Sequence, residues 1–160
     1  MSAGPRIVFV RFLTVDSPKL APWSAHAARV IGARNQAVVA ARPATGLVVW
    51  QLFSANNREL ARGADVLDTF EGARADASAT VAVTDRLTVE FVSEGGRGVY
   101  GWFASLDGRP VMTCARWYDT DRDRRHSIDL ALRSMPIATL HEGARLTDPA
   151  LMGGDRGRAY

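Results

Sequence analysis

Apolar and polar positions alternate along several short stretches of the chain, which predicts a protein rich in strands. Residues 86–95 show this best, because every second residue from Leu87 to Phe91 is apolar. A less regular alternation predicts strands over residues 7–15 and 36–43. Apolar runs also flank two polar clusters, SANNR at residues 54–58 and SLDGR at residues 105–109. Each cluster joins an Asn or Asp to an Asn or Gly, which tolerate the positive φ angles of a tight hairpin turn.

Two other stretches carry an apolar residue every three or four positions, which predicts helices. The recurring residues are Phe70, Ala73, Ala77 and Val81 within residues 69–82, and Ile128, Leu132 and Met135 within residues 120–135. An Asp–Thr pair before each stretch predicts a helix cap, and Pro136 predicts the end of the second helix. A third, short helix is predicted over residues 24–33 with Ser24 as its cap, after a proline-broken loop at residues 17–23.

The hairpins and the helices after them recur at an offset of 51 residues without a gap. Identical residues at this offset include Ser54 and Ser105, Arg58 and Arg109, Asp68 and Asp119, and Thr69 and Thr120. The repeat predicts two β-β-β-α units, over residues 36–85 and 86–136. The fold class is therefore α+β, with an antiparallel sheet covered by helices. Residues 1–35 are expected to form a strand and a helix packed on this core, and residues 137–160 a C-terminal tail whose last ten residues are frayed.

The hairpin motifs W-x-L-x-S-A-N-N-R-x-L-A and F-A-S-L-D-G-R-P-V, each followed by a capped helix, resemble those of the YegP-like family. The resemblance covers residues 36–136 and implies a duplicated β-β-β-α fold, in which two three-stranded pieces join into one α+β domain. One turn departs from the family, which has Asn-Gly where this chain has Asn56 and Asn57. The resemblance implies no activity and no catalytic residue.

The composition excludes several classes of protein. Hydrophobic residues make up 47% of the 160 residues and charged residues 23%, which is typical of a folded protein with its own core. No apolar run reaches the ~20 residues of a membrane span, and the N-terminus does not resemble a signal peptide. The single cysteine, Cys114, can form no intramolecular disulfide. We therefore expect a cytoplasmic protein without a membrane partner.

The net charge is +3, and Lys19 is the only lysine among the 20 basic residues. Arginine binds phosphate well, so a nucleic-acid partner is conceivable, although G+C-rich coding gives the same bias. The most suggestive segment is residues 116–125, where four arginines lie beside Trp117 and Tyr118: Arg116, Arg122, Arg124 and Arg125. Such a surface could stack bases and bind phosphates. The favoured alternative is a salt-bridged helix start, because three aspartates in the same segment nearly cancel the arginines.

The chain shows no pattern typical of a catalytic, cofactor or metal site. Its histidines, His26, His126 and His141, are scattered, so no metal is expected. Cys114 aligns with Gly63 in the repeat, which favours a packed position over a reactive thiol. The GGRG stretch at residues 95–98 joins two strands and does not open a helix, so it is interpreted as a hairpin turn and not as a nucleotide loop.

The tryptophans are the candidate interface residues. The repeat aligns Trp50 with Gly101 rather than with Trp102, so strand alternation points the two indoles to opposite faces. At least one is therefore expected off the core, where it could anchor an interface, and Trp117 is a third candidate. We expect a non-enzymatic protein-interaction module that forms a homo-oligomer through a sheet edge or an exposed tryptophan. The alternative is a nucleic-acid-binding protein that uses the arginine and aromatic surface around residues 116–125.

Overall fold

The computed structural model describes residues 4–14, 17–32, 47–94 and 96–147. The strands are β1 (Arg6–Phe12), β2 (Val48–Phe53), β3 (Glu59–Gly63), β4 (Thr88–Glu94), β5 (Val99–Leu106), β6 (Arg109–Cys114) and β7 (Thr139–Thr147). The helices are α1 (Leu20–Gly32), α2 (Phe70–Ala82) and α3 (Asp121–Ser134). Short 3-10 turns follow α2 and α3, at Thr84–Arg86 and Met135–Ile137.

The strands form one seven-stranded sheet in the order β4-β5-β6-β3-β2-β1-β7. Neighbouring strands are antiparallel except β1 and β7, which are parallel. The protein is therefore α+β, as the sequence predicts. The pairing of β3 with β6 joins the two hairpins. Strands β4, β5 and β6 therefore form one three-stranded piece, and β3, β2 and β1 form the other.

Helices cover both faces of the sheet. Helix α2 packs on β1 and β2, and α3 packs on β3 and β5, on one face of the sheet. The main apolar cluster reaches both faces, because it includes Val30 and Ile31 of α1 as well as Ala73 of α2 and Ala131 of α3. Helix α1 packs on the opposite face, over β5 and β6. A second, smaller apolar cluster lies beneath α1, formed by Val10, Phe12, Leu20, Trp23 and Val49. We call the sheet face that α2 and α3 cover the α2/α3 face, and the face that α1 covers the α1 face.

Both predicted helix caps are confirmed. Thr69 Oγ1 accepts a hydrogen bond from the backbone N–H of Gly72 at 2.9 Å, and Thr120 Oγ1 accepts one from Asp123 at 3.0 Å. The cap predicted at Ser24 is wrong, because α1 begins four residues earlier, at Leu20. Pro22 falls in the first turn of α1, where a proline costs no internal hydrogen bond, so the proline-broken loop predicted at residues 17–23 is partly helical.

The two hairpins differ in their turns. The second is the predicted two-residue turn, with positive φ angles of 51° at Asp107 and 83° at Gly108. In the first, only Asn57 has a positive φ, of 67°. Hydrogen bonds from Asn57 N to Ser54 O (3.0 Å) and from Ser54 N to Arg58 O (2.9 Å) close a turn that is one residue longer.

Two strand predictions need correction or qualification. The opening strand of the first unit, predicted at residues 36–43, lies outside the described residues, and β1 is the strand that pairs with the outer side of β2. In the same way, β4 pairs with the outer side of β5. Strand β7 lies within residues 137–160, where the sequence predicts only a tail. Descent of the two halves from one duplicated unit stays a prediction.

Candidate functional site

Trp50 and Trp102 are both fully buried, so the prediction that at least one lies off the core is wrong. Directly paired residues share a sheet face, as do alternate residues of one strand. This connects the two indoles across four strands, through Leu52, Ala61, Gly63, Met112 and Ala104. Both tryptophans therefore point to the α2/α3 face, and neither is available as an interface anchor.

The indole N–H groups of the two tryptophans have acceptors at matching places on the helices. Trp50 Nε1 donates to Asp76 Oδ2 on α2 at 2.8 Å, and Trp102 Nε1 donates to Ser127 Oγ on α3 at 3.0 Å. The acceptors are 51 residues apart and the tryptophans 52. The extra residue in the first hairpin turn accounts for this difference, because it shifts β2 by one position relative to β5. A gapless alignment misses this shift and therefore places the indoles on opposite faces.

Trp117 is half-buried and lies on the α1 face. A Cβ atom added at Gly101 would fall 2.9 Å from Trp117 Cζ3, so the indole packs directly on the backbone of β5. The Arg29 guanidinium of α1 covers the ring, with its carbon 5.2 Å from the centroid. The buried Trp117 Nε1 has no hydrogen-bond partner among the described residues. Trp117 thus contributes to the docking of α1.

Arg124, one of the four candidate nucleic-acid contacts, is only 8% exposed. Its Nη1 donates to the carbonyl oxygen of Val92 at 3.0 Å, and its Nε donates to Asp121 Oδ1 at 3.0 Å. The guanidinium also stacks on the rings of Phe91 and Tyr100, at 4.7 and 5.1 Å. Arg124 therefore holds α3 on β4 and β5. Its guanidinium is not at the protein surface, where a contact with phosphate would require it.

The other three arginines of this cluster are exposed. Arg125 donates from Nε to Asp121 Oδ2 at 2.8 Å and also lies over Phe91, at 5.0 Å. Hydrogen bonds from Arg125 and Arg124 lower the pKa of the Asp121 carboxyl, which stays ionised between them. Arg116 follows β6, and Arg122 lies in the first turn of α3. The cluster is therefore a salt-bridged helix start in which two of the four arginines bind a carboxylate of the same chain.

Cys114 is buried in β6 and its Sγ accepts a hydrogen bond from the backbone N–H of Trp102 at 3.4 Å. Burial raises the pKa of the thiol to about 11. His26 lies on α1 with Nε2 at 2.8 Å from the Cys114 carbonyl oxygen, whereas His126 and His141 are exposed on α3 and β7. Within the described ranges, no three His, Cys, Asp or Glu side chains gather where they could hold a metal.

The two edge strands are the remaining candidate surfaces. Strand β4 pairs with β5 in an unbroken register of seven residues, from Thr88 opposite Ser105 to Glu94 opposite Val99. At the other edge, the register of β7 with β1 shifts between Ile7 and Phe9, which marks a bulge. In the part of the chain that the structure describes, no strand pairs with the outer edge of either one.

Ion pairs fix the end of β4 to α1. Arg29 Nη2 contacts Glu94 Oε1 at 2.6 Å, and Arg97 Nη1 contacts the same oxygen at 2.9 Å. Because Arg29 also covers Trp117, this cluster joins α1, β4 and the segment after β6. The edge strand is thus held at its last residue as well as through its ladder with β5.

No family model matches the chain, and no curated protein matches it. Among solved structures, the chain is similar to the solution NMR structure of YegP from E. coli, a protein of unknown function. The identity is 10%, the TM-score is 0.46, and the match covers 62% of this chain and 82% of that chain. YegP is the protein after which the family resembled by the hairpin motifs is named. None of the described helices has the length and apolar character needed to cross a bilayer.

Proposed function

We propose that this protein is a non-enzymatic interaction module that self-associates through the outer edge of β4. One observation carries the proposal: β4 is a regular seven-residue strand, and no other described strand pairs with its outer edge. Such an edge presents a row of backbone N–H and C=O groups that another strand can pair with. A second copy that pairs there extends the sheet without any specialised side chain.

Strand β4 is better suited than β7 to pair with a second copy of the chain. A bulge interrupts the pairing of β7 with β1, and bulges are a common means of preventing edge-to-edge association. The residues of β7 from His141 to Gly143 are all exposed, so this part of the strand lies away from the core. In β4, Val92 is 4% exposed and Phe91 is held by Arg124, so the strand has a fixed conformation to present.

The interaction does not depend on Trp50 or Trp102, because both are internal to the fold. The nucleic-acid alternative loses support for a similar reason, since Arg124 is buried and Arg125 is paired with Asp121. Arg116 and Arg122 remain exposed, and two arginines give only a small phosphate-binding surface. Self-association through a sheet edge is therefore the function that we favour.

The test is the mass of the protein in solution, measured by light scattering over a range of concentrations and at low and high salt. We expect a mass above the 17.4 kDa of one chain, and little change with salt, because backbone pairing is not ionic. Ser93→Lys, at an exposed position of β4, should weaken association about tenfold or more, since lysine on an edge strand opposes pairing. The matched control is Thr139→Lys, at an exposed position of β7, which should leave the mass unchanged.

A mass of 17.4 kDa at every concentration would contradict the proposal. Equal loss of association in both lysine variants would place the contact elsewhere. Retention on heparin that disappears at moderate salt, together with a monomeric mass, would instead support the nucleic-acid alternative.

A further inference from the structure

We propose that α1 is a detachable helix, which leaves the sheet while α2 and α3 stay packed, and that protonation of His26 favours its release. The proposal goes beyond self-association and does not depend on it. One contrast carries it: buried polar side chains on the α1 face lack partners, whereas the indoles on the α2/α3 face have them. An element that leaves buried groups unsatisfied opens more easily than the rest of its fold.

The unpartnered polar atoms gather at the α1 face. Among the described residues, the buried side-chain nitrogen and oxygen atoms without a hydrogen-bond partner are Ser24 Oγ, Thr113 Oγ1 and Trp117 Nε1. Ser24 belongs to α1, and Trp117 lies on the face that α1 covers. Thr113 is 1% exposed and pairs with Arg62, whose guanidinium lies over the ring of Trp23 on α1. Thr113 therefore also points to the α1 face.

The buried indoles on the opposite face are satisfied. Trp50 Nε1 donates to Asp76 on α2 at 2.8 Å, and Trp102 Nε1 donates to Ser127 on α3 at 3.0 Å. Release of α2 or α3 breaks these hydrogen bonds. Release of α1 instead lets water reach polar atoms that have no partner while the helix is docked, and this solvation favours the open state.

The contacts that hold α1 are mostly apolar. Among contacts between described residues, its side chains hydrogen-bond with the sheet at two places. His26 Nε2 lies 2.8 Å from the Cys114 carbonyl oxygen, and Arg29 pairs with Glu94. The Arg29 side chain is 40% exposed, so this ion pair adds little. The strands on either side of α1 in the chain, β1 and β2, pair with each other, so release of α1 breaks no strand ladder.

The surroundings of His26 make the release depend on pH. Two cations act on the imidazole, Arg29 of α1 and Arg62 of β3, and each is paired with a glutamate, Glu94 or Glu59. Strand β5 contains no charged residue, and β6 meets the imidazole through a backbone carbonyl while its buried thiol stays protonated. Burial, with a smaller effect of the two arginines, lowers the pKa of His26 below 6.5.

The released helix presents His26 to water, where its pKa returns toward 6.5. The released state therefore binds more protons than the docked state as the pH falls below 6.5, and the equilibrium shifts toward release. Above this window the imidazole is neutral in both states, and the docking of α1 no longer depends on its titration.

Amide hydrogen exchange of the wild-type protein tests the release directly. The comparison is between residues 24–31 of α1 and residues 124–131 of α3, whose backbone N–H groups lie inside the helices. After division by the intrinsic exchange rates, we expect protection in α1 to be about tenfold lower than in α3, or lower still. Between about pH 7.5 and about pH 5, the opening of α1 should increase about threefold or more. His26→Gln should remove this increase.

Thr113→Val tests the unpartnered hydroxyl. Valine has a similar shape without the polar group, so the variant should keep α1 docked more firmly and slow its exchange about threefold or more. The matched control is Thr139→Val, at an exposed position of β7, which should leave the exchange of α1 unchanged. Circular dichroism verifies that each variant is folded.

Three results would overturn the proposal. Equal protection of α1 and α3 in the wild type would mean that α1 leaves only when the whole fold opens. An increase with falling pH that persists in His26→Gln would remove His26 from the release. Faster exchange of α1 in Thr113→Val would mean that the hydroxyl has a partner, such as a bound water, when α1 is docked.

Discussion

The indole ring of Trp50 lies directly on Gly63 of the neighbouring strand β3. A Cβ atom built at Gly63 would fall 2.7 Å from Trp50 Cε2 and 2.8 Å from Cδ1, closer than real Cβ atoms approach other atoms. The absence of a side chain at Gly63 is therefore what lets the indole reach Asp76 on α2. One small residue on β3 and one large residue on β2 together set the distance between the sheet and α2.

Gly63→Ala should consequently destabilise the protein. Trp50 is 0% exposed, so its ring cannot move into solvent to make room for the methyl group. Overpacking of this kind costs about 3 kcal/mol, which urea denaturation would detect as a lower midpoint at an unchanged slope. The control is Gly143→Ala on β7, where the added Cβ would meet nothing within 4 Å. Equal stability of the two variants would show that the indole does not constrain β3.

Ser127→Ala removes the acceptor of the other buried indole. Trp102 Nε1 would keep its place in the core without a hydrogen-bond partner. An unsatisfied buried donor costs roughly 1–3 kcal/mol, so the free energy of unfolding should fall by about that amount. Ser78→Ala, on the exposed side of α2, is the matched control and should have little effect. A result in which both variants match the wild type would contradict the role given to Ser127.

The parts of the fold that follow from local sequence were predictable. Thr69 and Thr120 cap helices because a side-chain oxygen can reach the third residue after it, and this depends on no distant contact. The turn at Asp107 and Gly108 follows from the same local logic. Strand β7 was not predictable in this way, because HEGA at residues 141–144 has no alternation and three of these four residues are exposed. Its pairing with β1 is a contact across almost the whole chain.

The candidate site shows where a repeat can mislead. Identities at one offset do not reveal that the first turn has an extra residue, and one residue is enough to move a side chain to the other face. The difference between Asn56-Asn57 and Asp107-Gly108 is the signal that could have found it, since Asn57 alone takes a positive φ in the first turn. The burial of Arg124 had no such signal. It depends on contacts with Phe91 of β4 and Tyr100 of β5. No local sequence pattern connects these two strands to α3.

Cys114 should be unreactive in the folded protein. It is fully buried, and a pKa of about 11 against the ordinary 9.0 means roughly 100-fold less thiolate at about pH 8. A thiol reagent such as iodoacetamide should therefore modify the native protein very slowly, and the urea-unfolded protein at the rate of an ordinary cysteine. Mass spectrometry gives the modified fraction over time. Rapid modification of native protein would mean that β6 is accessible from the α2/α3 face.

His26 should make stability depend on pH. Burial lowers the pKa of its imidazole below 6.5, opposed by the hydrogen bond with the Cys114 carbonyl and assisted by Arg62 and Arg29. The unfolded state therefore binds more protons than the folded state as the pH falls below 6.5, and stability decreases across that window. Above it both states are neutral at this residue, and its contribution is constant. We expect the free energy of unfolding, from urea titrations between about pH 7.5 and about pH 5, to decline more steeply in the wild type than in His26→Gln. Glutamine can keep a hydrogen bond to the carbonyl but cannot titrate. Parallel pH profiles for the two proteins would therefore show that His26 binds a proton equally well in the folded and the unfolded state.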